Sequence, residues 1–414
     1  MRKVTITSAT PSNDVLKRKL LLFAVLVALL PCTEHSGYAQ SLSQALSAQA
    51  ADALPLTSFY DTPVPLPLGN PGELISSEQF DGYQTPPGVT AVRILYHSRS
   101  AAGEDVASSG VVLIPYGHPP VGGWPVIAWA HGTSGIARIC GPSLMKDVYY
   151  SWEDLFEFPM LGYAVVATDY TGLGTNFPHQ YLAMDAQAQD VINSVAAARA
   201  AQPQLGARWV AVGHSQGGMA VLRVAELESQ IKDANYLGSV ALAPAADLLA
   251  NAEYIAHNNP VGDIGLFPYL AFSIESVFPE FRFTEMLSAD AAARIGLVEN
   301  QYCLIPTLIA FGNPQTLAPA WDSDKYVQEF FAENRPYLQS ALAPIFVGQG
   351  LADVDVLPSI TQAAVGQMCK EGDKVEYKTY SGLDHDGLVF GSFADQISWI
   401  GSRFAGAAAE SNCP

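Results

Sequence analysis

Gly213-His214-Ser215-Gln216-Gly217 is the stretch of this chain best equipped for chemistry. An apolar, β-branched run, Trp209 to Val212, enters it, and a helix-forming segment, Met219 to Glu228, leaves it. G-x-S-x-G between a strand and a helix predicts a nucleophile elbow. Gly213 and Gly217 suit a turn so tight that any Cβ would strike the neighbouring strand or helix. Ser215 then stands at the apex. The backbone N–H of Gln216, at the new helix N-terminus, is aimed where an oxyanion would form.

A serine hydroxyl needs a base to take its proton and an acid to orient that base. In the fold that carries such elbows the order along the chain is serine, acid, histidine. Downstream of Ser215, Ile345-Phe346-Val347 predicts a buried parallel strand, and Asp353 falls in the loop just past its end. Asp355 is the reserve candidate. The spacing from Gly350 to Val356 and Pro358 favours Asp353, because the loop then turns into a helix beginning near Leu357. Of eight histidines, only His385 lies beyond Asp353. It follows an alternating strand, Lys374 to Tyr380, in a flexible loop able to swing an imidazole over Ser215. His214 reads as a packing neighbour under the elbow, with its side chain directed away from Ser215.

These residues need a scaffold. Val89–Tyr96 and Ser108–Pro115 alternate like antiparallel strands. From Pro125–Ala130 onward, strand and helix alternate through Ala164–Asp169, Asp185–Gln202, the elbow and Ser239–Ala243. This predicts an α/β fold: a mostly parallel sheet with helices on both faces. Trp124–Trp129 is apolar and runs into Ala130-His131-Gly132-Thr133, where a second oxyanion donor belongs; the backbone N–H of Thr133 is favoured, with its hydroxyl available to help. Strand alternation stops between Pro244 and about Pro336, among helix-like segments rich in Phe, Tyr and Leu. A connection that long predicts a helical cap or lid at residues 244–336, some of whose aromatics line an apolar acyl site. It divides an α/β core into residues 40–243 and 337–414. Asp52–Pro87 reads as an irregular N-terminal wrap.

The chain begins with a different kind of segment. Basic residues (Arg2, Lys3, Lys17, Arg18, Lys19) precede an apolar run, Leu20–Leu30, too short to span a bilayer securely. Residues 1–39 are therefore expected to be a signal peptide cleaved after Ala39, with an uncleaved anchor as the runner-up. Pro31 argues against lipidation of Cys32. Cleavage removes five basic and two acidic groups, taking the net charge from −19 to −22. Nucleic acid and anionic membranes are poor partners for such a protein, and no stable membrane span is expected after cleavage. Export, secreted or periplasmic, leaves Cys140, Cys303, Cys369 and Cys413, an even set that suggests two disulfides in one of three connectivities. No C-x-x-C or histidine cluster has ligand spacing, so no metal is expected, and the chemistry needs no organic cofactor.

Taken together, Ala130-His131-Gly132-Thr133, Cys140-Gly141-Pro142-Ser143, Asp169-Tyr170-Thr171-Gly172-Leu173-Gly174, the elbow, Gly350 to Asp353, and His385 make the chain resemble the secretory lipases of lipase-A type, members of the α/β-hydrolase superfamily. The resemblance spans most of residues 85–405. It implies a Ser215–Asp353–His385 triad, a helical cap in the insertion, and disulfides Cys140–Cys303 and Cys369–Cys413. One departure is Thr133, where yeast lipases of this type carry an acidic residue. The expected activity is hydrolysis of carboxylic esters, including lipids, of short to long acyl chains. The alternatives are an acyltransferase or peptidase on the same triad, or a non-catalytic binding protein on this scaffold.

Overall fold

Val126 and Ala128 bury one way, Ile127 and Trp129 the other, and this two-sided burial of consecutive residues runs through the centre of the molecule. A strand buried on both faces belongs inside a parallel sheet covered by helices. The computed structural model of the protein describes residues 41–150 and 155–413. The expected signal peptide, its cleavage position and Cys32 lie outside them.

The strands are β1 (Leu74–Gln79), β2 (Thr90–Arg99), β3 (Asp105–Ile114), β4 (Trp124–Ala130), β5 (Ala164–Thr168), β6 (Leu205–His214), β7 (Tyr236–Leu242), β8 (Ile345–Gly350) and β9 (Val375–Tyr380). They form one sheet in the order β1-β2-β3-β5-β4-β6-β7-β8-β9. β1, β2, β3 and β5 pair antiparallel, and every pairing from β5 through β4 to β9 is parallel. In register, Ala130 of β4 faces Gly213 of β6, and His214 faces Leu242 of β7. The ends that carry the His131-Gly132-Thr133 loop and the elbow are thereby held side by side.

Helices cover both faces. Of the helices, α1 (Leu42–Asp52) starts the described chain and α2 (Glu157–Met160) precedes β5. α3 (Met184–Ala201) and α4 (Gln216–Ile231) pack on the face of Val126 and Ala128. Between β7 and β8 run α5 (Leu248–Asn258), α6 (Phe267–Val277), α7 (Ala289–Ala293), α8 (Ile295–Asn300), α9 (Leu304–Phe311) and α10 (Lys325–Glu333), with no strand of the sheet among them. These helices share a core of their own, in which Phe267, Phe281, Phe311 and Phe330 are fully buried. At about 1.5–3 kcal/mol for each fully buried large side chain, that core is enough to hold short helices that would not form alone. After β8, α11 (Pro358–Lys370) joins the α3/α4 face, while α12 (Gly387–Gly391) and α13 (Phe393–Phe404) cover the face of Ile127 and Trp129.

The N-terminal stretch is more regular than its composition suggests. Leu74–Gln79 is a sheet-edge strand, not part of an irregular wrap, pairing Ser77 with Ile94 and Gln79 with Val92. At an edge only one side of the backbone needs a partner, so the polar sequence LISSEQ can form it. Upstream, Ser41 and Gln44 form a capping box that starts α1. Gln49 on that helix donates from Nε2 to the Gln301 carbonyl and accepts from the Cys303 N–H. Cys303 is bonded to Cys140, and Cys369 to Cys413.

Candidate active site

At the end of β6 the chain turns sharply into α4 with Ser215 at φ 56° and ψ −116°. A non-glycine residue held at positive φ costs on the order of 1–3 kcal/mol and persists only where its surroundings over-determine it. Here they do. The Ser215 N–H donates to the Leu242 carbonyl at 2.9 Å, and the Ser215 carbonyl accepts from Met219 at 3.1 Å. A Cβ on Gly217 would overlap the Ala130 carbonyl, and one on Gly213 would overlap Gly217 itself. Gln216 opens α4, so its N–H is one of those that an α-helix leaves without an intrahelical acceptor.

Asp353 lies past the end of β8, buried, and Oδ2 accepts from His385 Nδ1 at 2.9 Å and from Gln349 Nε2 at 3.0 Å. Its Oδ1 accepts the backbone N–H of Asp355 at 2.9 Å and of Val356 at 2.8 Å. Burial alone would raise this carboxyl. The charge and hydrogen bond of His385, with the backbone and Gln349 donors, outweigh burial and hold it below the usual aspartate range. For His385 the balance runs the other way. Burial would lower the imidazole, but Asp353, followed by Asp355 and Asp386, holds it above the ordinary histidine value. With Nδ1 on the carboxylate, Nε2 is the nitrogen left for a reacting group.

His214 does not point away from this cluster, as its position beside the serine suggested. Its ring packs 4.5 Å from that of His385, and Nε2 donates to the His385 carbonyl at 3.1 Å. It thus supports the loop that carries the second histidine. Thr133 lines the same pocket, its Oγ1 2.8 Å from the Tyr181 hydroxyl and its carbonyl accepting from Tyr149 at 3.1 Å. If Tyr181 donates to Oγ1, the Thr133 hydroxyl proton remains free to turn toward a substrate oxygen. Beneath this loop, buried His131 packs tilted against Tyr170 at 4.3 Å, and burial pushes it down to about 3, so it is a neutral structural residue.

Ser215, His385, Thr133 and Gln216 all line one cavity of about 220 Å³. Its apolar wall comes chiefly from the segment between β7 and β8, with Leu248, Ile255, Leu266, Leu270 and Leu308. The wall is mainly aliphatic. Of the aromatics in that segment, only Phe267 reaches it; Phe281, Phe311 and Phe330 belong to the segment's own core. The disulfide from Cys140 to Cys303 and the hydrogen bond from the Leu304 N–H to the Ser134 carbonyl (2.9 Å) fasten the start of α9 beside the loop that carries Thr133.

Three acidic residues complete the lining. Asp355 and Asp386 are joined there by Asp263, from the turn before α6. Nothing in the local sequence around Asp263 marks it, since Pro260–Leu266 carries no motif. Among the described residues, Asp353, Asp355 and His385 form a group whose ligand atoms lie within 4.8 Å of one another, as a metal site would require. The closest pair in it is already a carboxylate–imidazole hydrogen bond, which is the pattern of proton transfer.

The secretory lipase family matches this chain over residues 144–412. A secreted triacylglycerol lipase of Malassezia globosa, LIP7, is 22% identical over 84% of this chain and 79% of its own length. Among solved structures, Candida antarctica lipase A in its closed state superposes with a TM-score of 0.72 at 16% identity, covering 87% of this chain and 89% of that one. The rice cell wall degrading esterase LipA of Xanthomonas oryzae gives 0.67 at 17% identity, with 81% and 98% covered. The match to that family spans well over half of the chain and, with a nine-stranded, mostly parallel sheet and a serine elbow at the end of β6, places this chain in the secretory lipase family of carboxylic-ester hydrolases with the α/β-hydrolase fold.

Proposed function

We propose that this is an exported serine esterase in which Ser215, His385 and Asp353 form the catalytic triad. Ser215 Oγ attacks the ester carbonyl carbon while its proton passes to His385 Nε2. Asp353 holds Nδ1 and stabilises the imidazolium. The backbone N–H groups of Gln216 and Thr133, with the Thr133 hydroxyl, take up the oxyanion; each such donor is typically worth about 3 kcal/mol of barrier. The alcohol leaves with the proton from Nε2, and water, deprotonated by the same nitrogen, releases the acid from the acyl-enzyme.

The observation that carries this reading is the 2.9 Å Asp353–His385 hydrogen bond opening onto the same apolar cavity as the strained Ser215. Residues Pro244–Pro336 are read as a cap over that cavity, with the acyl chain against its aliphatic wall. A volume of about 220 Å³ is below the 300 Å³ at which pockets for drug-sized ligands begin, so short acyl groups fit without displacement of the cap. A peptidase of this design would need a free cap carboxylate to hold a substrate amine. The insertion's carboxylate in the cavity, Asp263, is taken by Asp355. Among the described residues, no helix is long and apolar enough to cross a membrane.

The test is hydrolysis of a chain-length series of nitrophenyl esters, with amino-acid nitroanilides alongside, by wild type and Ser215→Ala. Ester turnover that falls about 10⁵-fold in the variant is expected, with an optimum at short chains. Anilide turnover without ester turnover, or an active Ser215→Ala protein, would overturn the assignment.

A further inference from the structure

Asp263 and Asp355 come from different parts of the chain and meet beside His385. Asp263 is only 5% exposed, on the insertion, and Asp355 lies two residues beyond Asp353 on the acid loop. Asp263 Oδ2 and Asp355 Oδ1 are both buried, and neither receives a hydrogen bond from an N–H or O–H of another described residue. Both line the same cavity as His385, and their carboxyl groups lie close enough for one to hydrogen-bond the other. Two carboxylates cannot make that bond, because each offers only acceptors; one proton between them can. Buried oxygens left without a donor would otherwise be costly.

We propose that Asp263 and Asp355 share one proton across the boundary between cap and acid loop and act through His385 as a positioning pair. This rests on the assignment of His385 as the catalytic base. With one proton the pair carries one negative charge close to the imidazole, adding to Asp353 in favouring its charged form. It also ties the turn before α6 to the loop that orients the histidine. When the proton is lost to solvent, two like charges stand in buried contact, and the tie is replaced by repulsion.

The surroundings fit a pair that keeps its proton through the neutral range. Burial, then the Asp355 charge, pushes Asp263 up to about 9, while Asp353 adds to the push and His385 opposes it. Asp355 is raised by burial, with His385 opposing and Asp353 and Asp386 reinforcing. From the loop before α3, the Tyr181 hydroxyl also faces Asp263 and stays neutral, raised by its own burial. A carboxyl that stays protonated when folded to about 9, but only to about 4 when unfolded, makes stability fall as pH rises between those values. An acid pair that weakens the fold at the working pH is the kind of feature retained for function.

The experiment compares wild type, Asp263→Asn and Asp263→Ala by kcat/KM for a short-chain ester from pH 6 to 10.5, and by melting temperature from pH 5 to 8. In wild type, kcat/KM is expected to fall on the alkaline side with loss of one proton. Asn donates permanently to Asp355, so that fall disappears in Asp263→Asn. Ala leaves Asp355 without its partner and lowers kcat/KM about tenfold at neutral pH, a small share of a general base's contribution, which Asn recovers. Asp263→Asn should also melt above wild type by a margin that widens from pH 5 to pH 8. Superimposable alkaline limbs, or a margin that does not change with pH, would overturn the pair. Ser215→Ala separates the two readings: if it stays active the triad fails, while the melting comparison still reports on the shared proton.

Discussion

The sheet and the 244–336 segment proposed as a cap solve different problems with different materials. Around Ser215 the elements are long and register-locked: β6 runs Leu205–His214 between two parallel neighbours, and α3 and α4 span Met184–Ala201 and Gln216–Ile231. In the cap, no helix is longer than Leu248–Asn258 or Phe267–Val277, and Ala289–Ala293 is little more than a turn. Reacting atoms must be held to fractions of an ångström, which rigid strand ends can do. An acyl pocket needs only the right volume and polarity, which short helices on their own small core can supply. Changes in the sheet should therefore alter rate, and changes in the cap should alter which substrate is turned over.

The sharpest way to break that division lies on the acid loop, where both regions touch His385. Asp353→Asn should lower kcat by about 10⁴-fold with the fold intact, because the amide favours the wrong imidazole tautomer. Asp355→Asn, two residues away but bonded to the cap, should cost about tenfold or less, since it can still donate to Asp263. Equal losses in the two variants, measured with saturating ester, would mean that the acid has been misassigned.

The same contrast governs what could be read from sequence. The elbow was legible because its signal is local: two glycines, a serine, a strand and a helix within Trp209–Glu228. Asp353 and His385 followed from chain order and from the apolar strands before them. Asp263 was not legible. It is one aspartate in a motif-free turn, and only the packing of the cap brings it to His385. Tyr149 and Tyr181 were missed for a similar reason, since each reaches Thr133 from a loop whose path depends on tertiary contacts. β1 escaped because an edge strand need not be apolar, whereas the capping box at Ser41–Gln44 was a usable signal for α1 that composition obscured.

Next in size is the covalent tie between the regions. Cys140→Ser with Cys303→Ser frees the start of α9 from the segment that follows β4. Loss of a native disulfide from an exported protein typically costs about 2–5 kcal/mol. The melting temperature should fall, and proteolysis under native conditions should cut first within Pro244–Pro336. Cutting first in the core around β4 would show that the bridge serves the sheet instead.

A smaller effect is the pH response of the triad. His385 is held above its ordinary value of 6.5, and the base must be neutral to act, so the acid limb of kcat/KM should lie above pH 6.5 and move down in Asp353→Asn. The stability sign follows from the same shifts. The raised histidine contributes fully below 6.5 and loses its contribution as pH rises through its folded value. The depressed Asp353 contributes above 3.8 and loses its contribution as pH falls through its folded value. Between about pH 4 and 6.5 both are present, so His385→Ala should destabilise most in that window by thermal melting.

The finest test makes a like truncation in each region. Val240 of β7 is fully buried in the sheet, and Leu270 of α6 is buried against the cavity. Val240→Ala should lower the melting temperature while leaving the ratio of activities on long and short esters unchanged, because its cavity opens inside the core. Leu270→Ala opens space where the acyl chain would lie. Deleting a large buried aliphatic costs about 2–5 kcal/mol of stability, and each methylene accommodated in an apolar pocket changes selectivity by about 1–3 kcal/mol. The long-to-short ratio should then rise about tenfold, equivalent to about 1.4 kcal/mol, with kcat on the short ester little altered. A ratio that moves equally in both variants would mean that substrate choice is set by the sheet, and that the cap is only a cover.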